Sequence, residues 1–126
     1  MENKKQARAS KTIEGLEVWQ KSRELAIFVY RITKRPPGEE KFGLAAQMRR
    51  AAISVSSNIA EGFGRQQNKD KEHFYVIASG SLSELLSQLI LSNDLGYITA
   101  DEFIESRSLL TDTRRYLFAL LRVHRA

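Results

Sequence analysis

Residues 42–64 constrain the fold of this chain more than any other stretch. Apolar residues recur in it every three or four positions: Leu44, Met48, Ala52, Val55 and Ile59. This spacing places them on one side of an α-helix. The stretch carries only three charges, Arg49, Arg50 and Glu61. Because a helix on the outside of a monomer shows a broad charged face, the pattern predicts a central helix with neighbours on more than one side.

A polar stripe runs beside this apolar side. Its members are Gln47, Arg50, Ser54, Asn58 and Glu61. Two interpretations stay open: the wall of an active site, or a buried hydrogen-bonding seam that fixes helix register or subunit contacts. The stripe contains no nucleophile–base pair, which favours the structural polar seam.

Three more stretches have helical periodicity, and no strand pattern competes with them. They span about 16–33, 68–94 and 99–123. Pro36 and Pro37 end the first of them, since neither can donate a helical hydrogen bond. Four helices with short connections predict an all-α, antiparallel up-down-up-down four-helix bundle.

Several residues mark the predicted ends of the helices. Thr99 and Glu102 have the spacing of a capping box, flanked by the apolar residues that form a hydrophobic staple. Asn68 is the predicted N-cap of the third helix. Gly62 and Gly64 are predicted to close the second helix in a left-handed turn.

The net charge of +5 is concentrated at the two ends of the chain. Residues 1–12 hold a net +3 and residues 114–126 a net +4, which leaves −2 for the middle. We predict a disordered basic arm over 1–12 and a bundle domain over 13–126. The basic ends fit a polyanion partner, but also plain solubility and cations at a helix C-terminus.

The candidate nucleic-acid contacts are Arg107, Arg114, Arg115, Arg122, Arg125, Lys4, Lys5, Arg8 and Lys11. Few aromatic residues are interleaved with these arginines, so we do not predict stacking on single-stranded bases.

Composition also narrows the chemistry and the location. The chain has no cysteine, which excludes disulfides and thiolate metal sites. His73 and His124 lie far apart and in no metal-spaced cluster. We therefore predict a protein that is not an enzyme and has no metal or cofactor. The N-terminus lacks the apolar run of a secretory signal, and no apolar stretch approaches about 20 residues, so we expect a cytoplasmic protein without a membrane partner.

The second and third helices each have a second surface with few charges. A soluble monomer seldom exposes such a surface. We expect copies of the chain to cover it by self-association; a partner protein is the alternative.

Four motifs resemble a known family: LEVWQK at 16–21, LAAQMRRAA at 44–52, SNIAEG at 57–62 and ASGSLSEL at 78–85. The chain is similar over about 15–123 to the small bacterial four-helix bundles encoded in intervening sequences of 23S ribosomal RNA genes. One departure is Arg35-Pro36-Pro37, where the family usually has an aromatic–proline turn. The resemblance implies a left-handed bundle that assembles as a homopentamer. A related protein is the accessory variability determinant of diversity-generating retroelements, a basic pentamer that binds nucleic acid and a reverse transcriptase.

Together the charge and the resemblance favour a homo-oligomeric bundle that binds structured RNA or DNA electrostatically. The alternative is a protein-interaction scaffold with no direct role in nucleic-acid binding.

Overall fold

The structure, a computed structural model, describes residues 12–34 and 39–125, without the side chains of 39–42, 124 and 125. A short 3-10 turn, Ile13–Gly15, precedes four α-helices. They are α1 Glu17–Ile32, α2 Glu39–Phe63, α3 Asn68–Asp94 and α4 Ala100–Arg125. No strand occurs in these two ranges, so the all-α prediction is confirmed. The predicted arm lies almost wholly outside them, as does the turn at Pro36 and Pro37.

The four helices form a closed bundle in which each contacts the helices before and after it, and α4 returns to α1. The contacts between α2 and α3 are the most extensive. Met48 of α2 lies beside Ser92 of α3, whereas Gly62 near the end of α2 lies against Tyr75 near the start of α3. This order shows that α2 and α3 run antiparallel, and the four-helix bundle is confirmed.

The core contains the stripe that the sequence predicts for α2. Met48, Ala52, Val55 and Ile59 are buried, and Leu44 is half-buried. Apolar residues from the other three helices and from the flanking connections complete this single core. Because the stripe faces the centre of the bundle, each of its residues is removed from water, which supplies most of the driving force for folding.

Three buried hydroxyls show how the core accommodates polar atoms. Ser22, Ser106 and Thr113 each donate a hydrogen bond to a carbonyl oxygen three or four residues earlier in their own helix, at 2.7 to 2.9 Å. The hydroxyls thus have hydrogen-bond partners within their own helices, so these bonds do not fix how one helix is aligned along another.

Gly62 permits a close approach between α2 and α3. A Cβ at this position would lie 2.5 Å from Cε1 and 2.8 Å from Cδ1 of Tyr75, whose ring is almost completely buried. The prediction that Gly62 and Gly64 adopt a left-handed turn is wrong, since Gly96 alone has a positive φ among the described residues. Gly62 is needed for space rather than for backbone conformation.

The left-handed turn occurs at the end of α3. Gly96 has a φ of 74°, Tyr97 N–H donates to the Ser92 carbonyl at 2.9 Å, and Gly96 N–H donates to the Asn93 carbonyl at 3.1 Å. These paired bonds form a Schellman motif, which satisfies the last carbonyls of the helix.

The helix starts confirm one prediction and correct another. The Thr99 amide donates to Glu102 Oε1 at 2.9 Å and the Glu102 amide donates to Thr99 Oγ1 at 3.1 Å, so the capping box is confirmed. Asn68 is the first residue of α3 and not its cap. Gln67 holds the cap position because its backbone is extended and its carbonyl accepts the Lys71 amide.

Cationic side chains satisfy two helix ends. Arg49 of α2 donates through Nε to Thr33 Oγ1 at 2.7 Å and through Nη2 to the Tyr30 carbonyl at 3.3 Å, and its guanidinium lies 4.6 Å from the centre of the Tyr30 ring. Lys71 Nζ donates to the Gly62 and Phe63 carbonyls. Each cation therefore sits at the negative end of a neighbouring helix, where it is favoured.

Candidate nucleic-acid interface

Four predicted contact residues lie along one side of α4. We call them the arginine stripe: Arg107, Arg114, Arg115 and Arg122. At about 100° per residue they fall within a sector of roughly 100°, on the side of the helix away from the buried Leu117. The sector extends about 22 Å along the axis. The one acidic residue within this length, Asp112, falls outside the sector, where it lies beside Arg115, so the sector itself contains no acid.

The stripe residues differ in how firmly they are held. Arg115 Nη1 lies 3.8 Å from Asp112 Oδ1; the Arg115 side chain is largely exposed and that of Asp112 partly so. Arg107 has its guanidinium 5.9 Å from the centre of the Phe103 ring. Exposed contacts of this kind contribute little to stability, because solvent screens them and side-chain ordering opposes them. These guanidinium groups can therefore turn toward a ligand at low cost.

The other predicted contacts belong to the part of the chain whose side chains the structure does not describe. Lys4, Lys5, Arg8 and Lys11 lie outside the described ranges. Arg125 ends α4, and its side chain lies outside the described part as well. Their role in binding stays a prediction.

An exposed aromatic ring lies within the arginine stripe. Phe118 is 43% exposed and belongs to the same sector of α4, between Arg114 and Arg122 along the chain. It lines an open cleft of about 420 Å³ between α3 and α4, together with Val76, Ser79, Leu121 and Arg122. Few aromatic residues are interleaved with the arginines in the sequence, and Phe118 was not among the predicted contacts.

The polar stripe of α2 divides into two groups. Ser54 lies at the contact with α3, where its Oγ is 2.8 Å from Ser81 Oγ, and the half-buried Asn58 donates through Nδ2 to the Ser54 carbonyl of its own helix at 2.8 Å. Gln47, Arg50 and Glu61 are exposed. A seam role for these three requires another chain on this side of the bundle.

Glu61 lies near the end of α2 and pairs with a residue of the connection that follows. Its Oε2 lies 3.1 Å from Nη2 of Arg65, four residues later, as the sequence spacing predicts. The same Arg65 guanidinium lies 4.7 Å from the centre of the Phe74 ring. These contacts hold the connection between α2 and α3 against the start of α3.

The outer side of α3 is apolar and has no partner helix within the bundle. We call it the α3 outer strip; it comprises Val76, Ile77, Gly80, Ser83, Ser87, Ile90 and Leu91, all exposed. From Phe74 to Asn93 the only charged residue is Glu84. Ile53, 44% exposed, adds an apolar side chain from α2. A continuous low-charge surface of this length is typical of an interaction site.

The apolar composition of α3 bears on the prediction that the chain has no stretch long enough to span a membrane. By length and composition α3 is apolar enough to cross a membrane, so the expectation that no stretch approaches that length is wrong. A core helix of a soluble protein passes the same test. Here α3 contributes one side to the core and carries the strip on the other, and this double use accounts for its composition.

Three ionisable groups in the described part of the chain have pKa values that differ from their ordinary values, and all three lie outside the arginine stripe. Burial raises the pKa of Tyr75, which lies in the core against Gly62. A hydrogen bond to Glu17 and the charge of that carboxylate raise the pKa of Tyr116. Partial burial lowers the pKa of Lys71. None of the three belongs to the arginine stripe, and the described residues contain no cluster of acidic or histidine side chains that could hold a metal.

Comparison with known proteins decides the family. Residues 14–119 match the sequence model of the family described as "23S rRNA-intervening sequence protein". The chain belongs to this family. The matched range contains α1, α2 and α3 whole and α4 through most of its length. Within the arginine stripe, Arg107, Arg114 and Arg115 lie inside the match, and Arg122 lies beyond it.

One solved structure of a related protein shares the fold. It is a protein of unknown function from the S23 ribosomal protein family of Bacteroides thetaiotaomicron, 26% identical to this chain, with a TM-score of 0.76. The alignment covers 82% of this chain and 97% of that one. None of the curated proteins matches this chain. Family membership and the related structure agree with the four-helix fold, but neither states a function. The surfaces that bear on function are the arginine stripe and the α3 outer strip.

Proposed function

We propose that this family member is a non-enzymatic, homo-oligomeric four-helix bundle that binds structured RNA or DNA through charge. The arginine stripe of α4 carries the proposal. Arg107, Arg115 and Arg122 are exposed and Arg114 is half-buried, and no acid lies in their sector. Arginine is well suited to phosphate because its planar group donates paired hydrogen bonds. Electrostatic contacts to the phosphate backbone supply affinity without reading sequence.

The expected salt dependence follows from the number of arginines. If all four neutralise phosphates of a duplex, the plot of log affinity against log salt should have a slope of about −3 to −4 for each bundle engaged. Association of five copies would raise the net charge from +5 to about +25. The complex should therefore form at low salt, discriminate weakly between sequences and dissociate steeply as salt rises.

Titration of a labelled RNA hairpin by fluorescence anisotropy, at several salt concentrations, tests this proposal. Changing Arg114 or Arg107 to Gln should weaken binding to all sequences and reduce the salt slope by about one per copy engaged. Arg31→Gln is the matched control, since it removes the same charge from an exposed position on α1. Binding that does not change with salt, or equal losses in the control, would contradict the proposal.

The α3 outer strip supports the self-association part of the proposal. A second copy covers the part of the strip from Ile77 to Leu91, an apolar surface of low charge, without bringing unpaired charges into the contact, whereas the phosphates of a nucleic acid would gain nothing from this part. Ile77→Glu or Leu91→Glu would place a charge in this contact and should reduce the native mass. Glu84→Gln, on the same helix, should leave the mass unchanged or raise it. A wild-type monomer at micromolar concentration would refute self-association.

A protein-interaction scaffold is the second candidate function, and the same strip favours it. It predicts a stable complex with another protein that survives nuclease treatment and is lost in Leu91→Glu. In that case the arginine-stripe variants would leave the complex intact.

A further inference from the structure

We infer that the cleft between α3 and α4 binds an unpaired nucleobase, which stacks on the Phe118 ring while Arg122 contacts the base edge or the adjoining phosphate. This inference rests on the proposed function and extends it. Electrostatic binding alone takes any phosphate backbone, but a stacking site takes only nucleotides that are free of a duplex.

The exposure of the Phe118 ring is the first argument. A phenylalanine in a four-helix bundle is stabilised by burial, yet 43% of this side chain faces water, at the edge of α4 that borders α3. Its position is fixed by the helix backbone, and the buried Leu121 beside it forms the base of the cleft. An exposed aromatic ring on a rigid helix is a stacking surface that loses little entropy when a ligand is bound.

The chemistry of the cleft is the second argument. Val76 of α3 supplies an apolar wall, Ser79 supplies a hydroxyl that can donate and accept, and Arg122 supplies a guanidinium group. The volume of about 420 Å³ falls in the range of sites that hold small organic ligands. An aromatic face, a neutral hydroxyl and a cation together suit a group that is planar, hydrogen-bonding and attached to an anion, as a nucleotide is.

The position of the cleft within the arginine stripe is the third argument. Arg114 and Arg122 lie four residues before and after Phe118, which places each about 6 Å away along the axis. A strand whose base enters the cleft would therefore carry its neighbouring phosphates past these guanidinium groups. The charge of the stripe selects this occupant over an apolar helix, which would leave the cations unpaired.

Phe118→Leu tests the inference, since leucine keeps an apolar side chain and removes the aromatic face. Binding by the full-length protein is measured with two probes: a single-stranded RNA of about 12 nucleotides, and a fully paired RNA duplex of the same length. We expect Phe118→Leu to weaken single-strand binding about five-fold or more and to leave duplex binding within about two-fold. Phe118→Tyr, which retains the ring, should bind both probes as the wild type does.

Ile104→Ala serves as the matched control, because Ile104 is exposed on the same side of α4 at 65% and lies far from the cleft. It should leave single-strand binding unchanged. A Phe118→Leu protein that binds the single strand normally, with the salt dependence intact, would overturn the stacking site and leave the proposed function standing. A changed native mass in Phe118→Leu would also overturn it, since a second copy would then cover the ring. Failure of the wild type to bind either probe at low salt would refute the proposed function itself.

Discussion

Gly62→Ala is expected to destabilise the bundle although alanine is the better helix former. Because Gly62 lies in the last turn of α2, the change alone should stabilise by at most about 1 kcal/mol, the value for a helix interior. Here the added Cβ would lie 2.5 Å from Cε1 and 2.8 Å from Cδ1 of Tyr75, and still only 3.1 Å from Cζ. The ring is 1% exposed and the core surrounds it, so neither the ring nor α2 can yield without disturbing other contacts.

The magnitude follows from setting the two effects against each other. Inserting a methyl group into a well-packed core costs about 1 to 3 kcal/mol, and the short distances put this site in the upper part of that range. After subtraction of the helix-propensity gain, we expect a net loss of about 1 to 2 kcal/mol. For a chain of this size the melting temperature should fall by about 4 to 8 °C.

Urea denaturation followed by circular dichroism measures this loss, at one fixed protein concentration because assembly would shift the midpoint. Gly43→Ala is the matched control: it lies on the same helix with no atom within 4 Å of the new Cβ, and it should stabilise by about 0.5 to 1 kcal/mol. In a Tyr75→Leu background, Gly62→Ala should become stabilising. If it stabilises in the wild-type background as Gly43→Ala does, the steric argument is refuted.

Four further changes test other contacts. Arg49→Lys should lower the free energy of unfolding by about 1 to 2 kcal/mol, because lysine keeps the charge but cannot reproduce the paired donors at the end of α1; stability equal to the wild type in urea would contradict this. Thr99→Ala should cost about 1 kcal/mol through loss of the capping box, and Thr99→Ser should restore most of it. Gln88→Met should raise stability by about 1 kcal/mol in the same assay, since it removes a buried Oε1 that has no hydrogen-bond partner among the described residues; an unchanged midpoint would show that the oxygen is satisfied. Tyr75 should make the protein sensitive to alkali, because burial raises the pKa of its phenol in the folded state. The contribution of the neutral phenol to the stability of the fold is complete below the ordinary pKa of 10.0 and is lost as pH rises above it. Tyr75→Phe should flatten the decline of stability above pH 10.0, measured relative to its own value at neutral pH, and a parallel decline in both proteins would oppose this account.

The helices could be predicted because their periodicity and capping signals are local. The α2 apolar stripe and the Thr99 capping box depend on residues three to fifteen positions apart, and both are present in the structure as predicted. Gly62 could not be interpreted in this way, because its role depends on Tyr75 across the helix pair. Sequence gives the type of residue at a helix end, but only the packing shows what lies opposite it.

The candidate interface was predictable only in part, for the same reason. The spacing of the arginines places them on one side of α4, and the structure adds that this side faces solvent. The cleft next to Phe118 depends on Val76 and Ser79 of another helix, so no pattern within α4 could indicate it. The polar stripe of α2 likewise looked uniform, although Ser54 meets Ser81 across the contact and its exposed neighbours do not.

The unequal contacts around the bundle bear on the order in which it folds. The helices α2 and α3 share the most extensive contact and are joined by only a few residues, 64–67, so little loop entropy opposes their pairing. Contact between α1 and α4 joins the two ends of the chain and is entropically the most costly to form first. We expect the α2–α3 hairpin to form early and to exchange its amide hydrogens most slowly, with closure of α4 onto α1 as a late step.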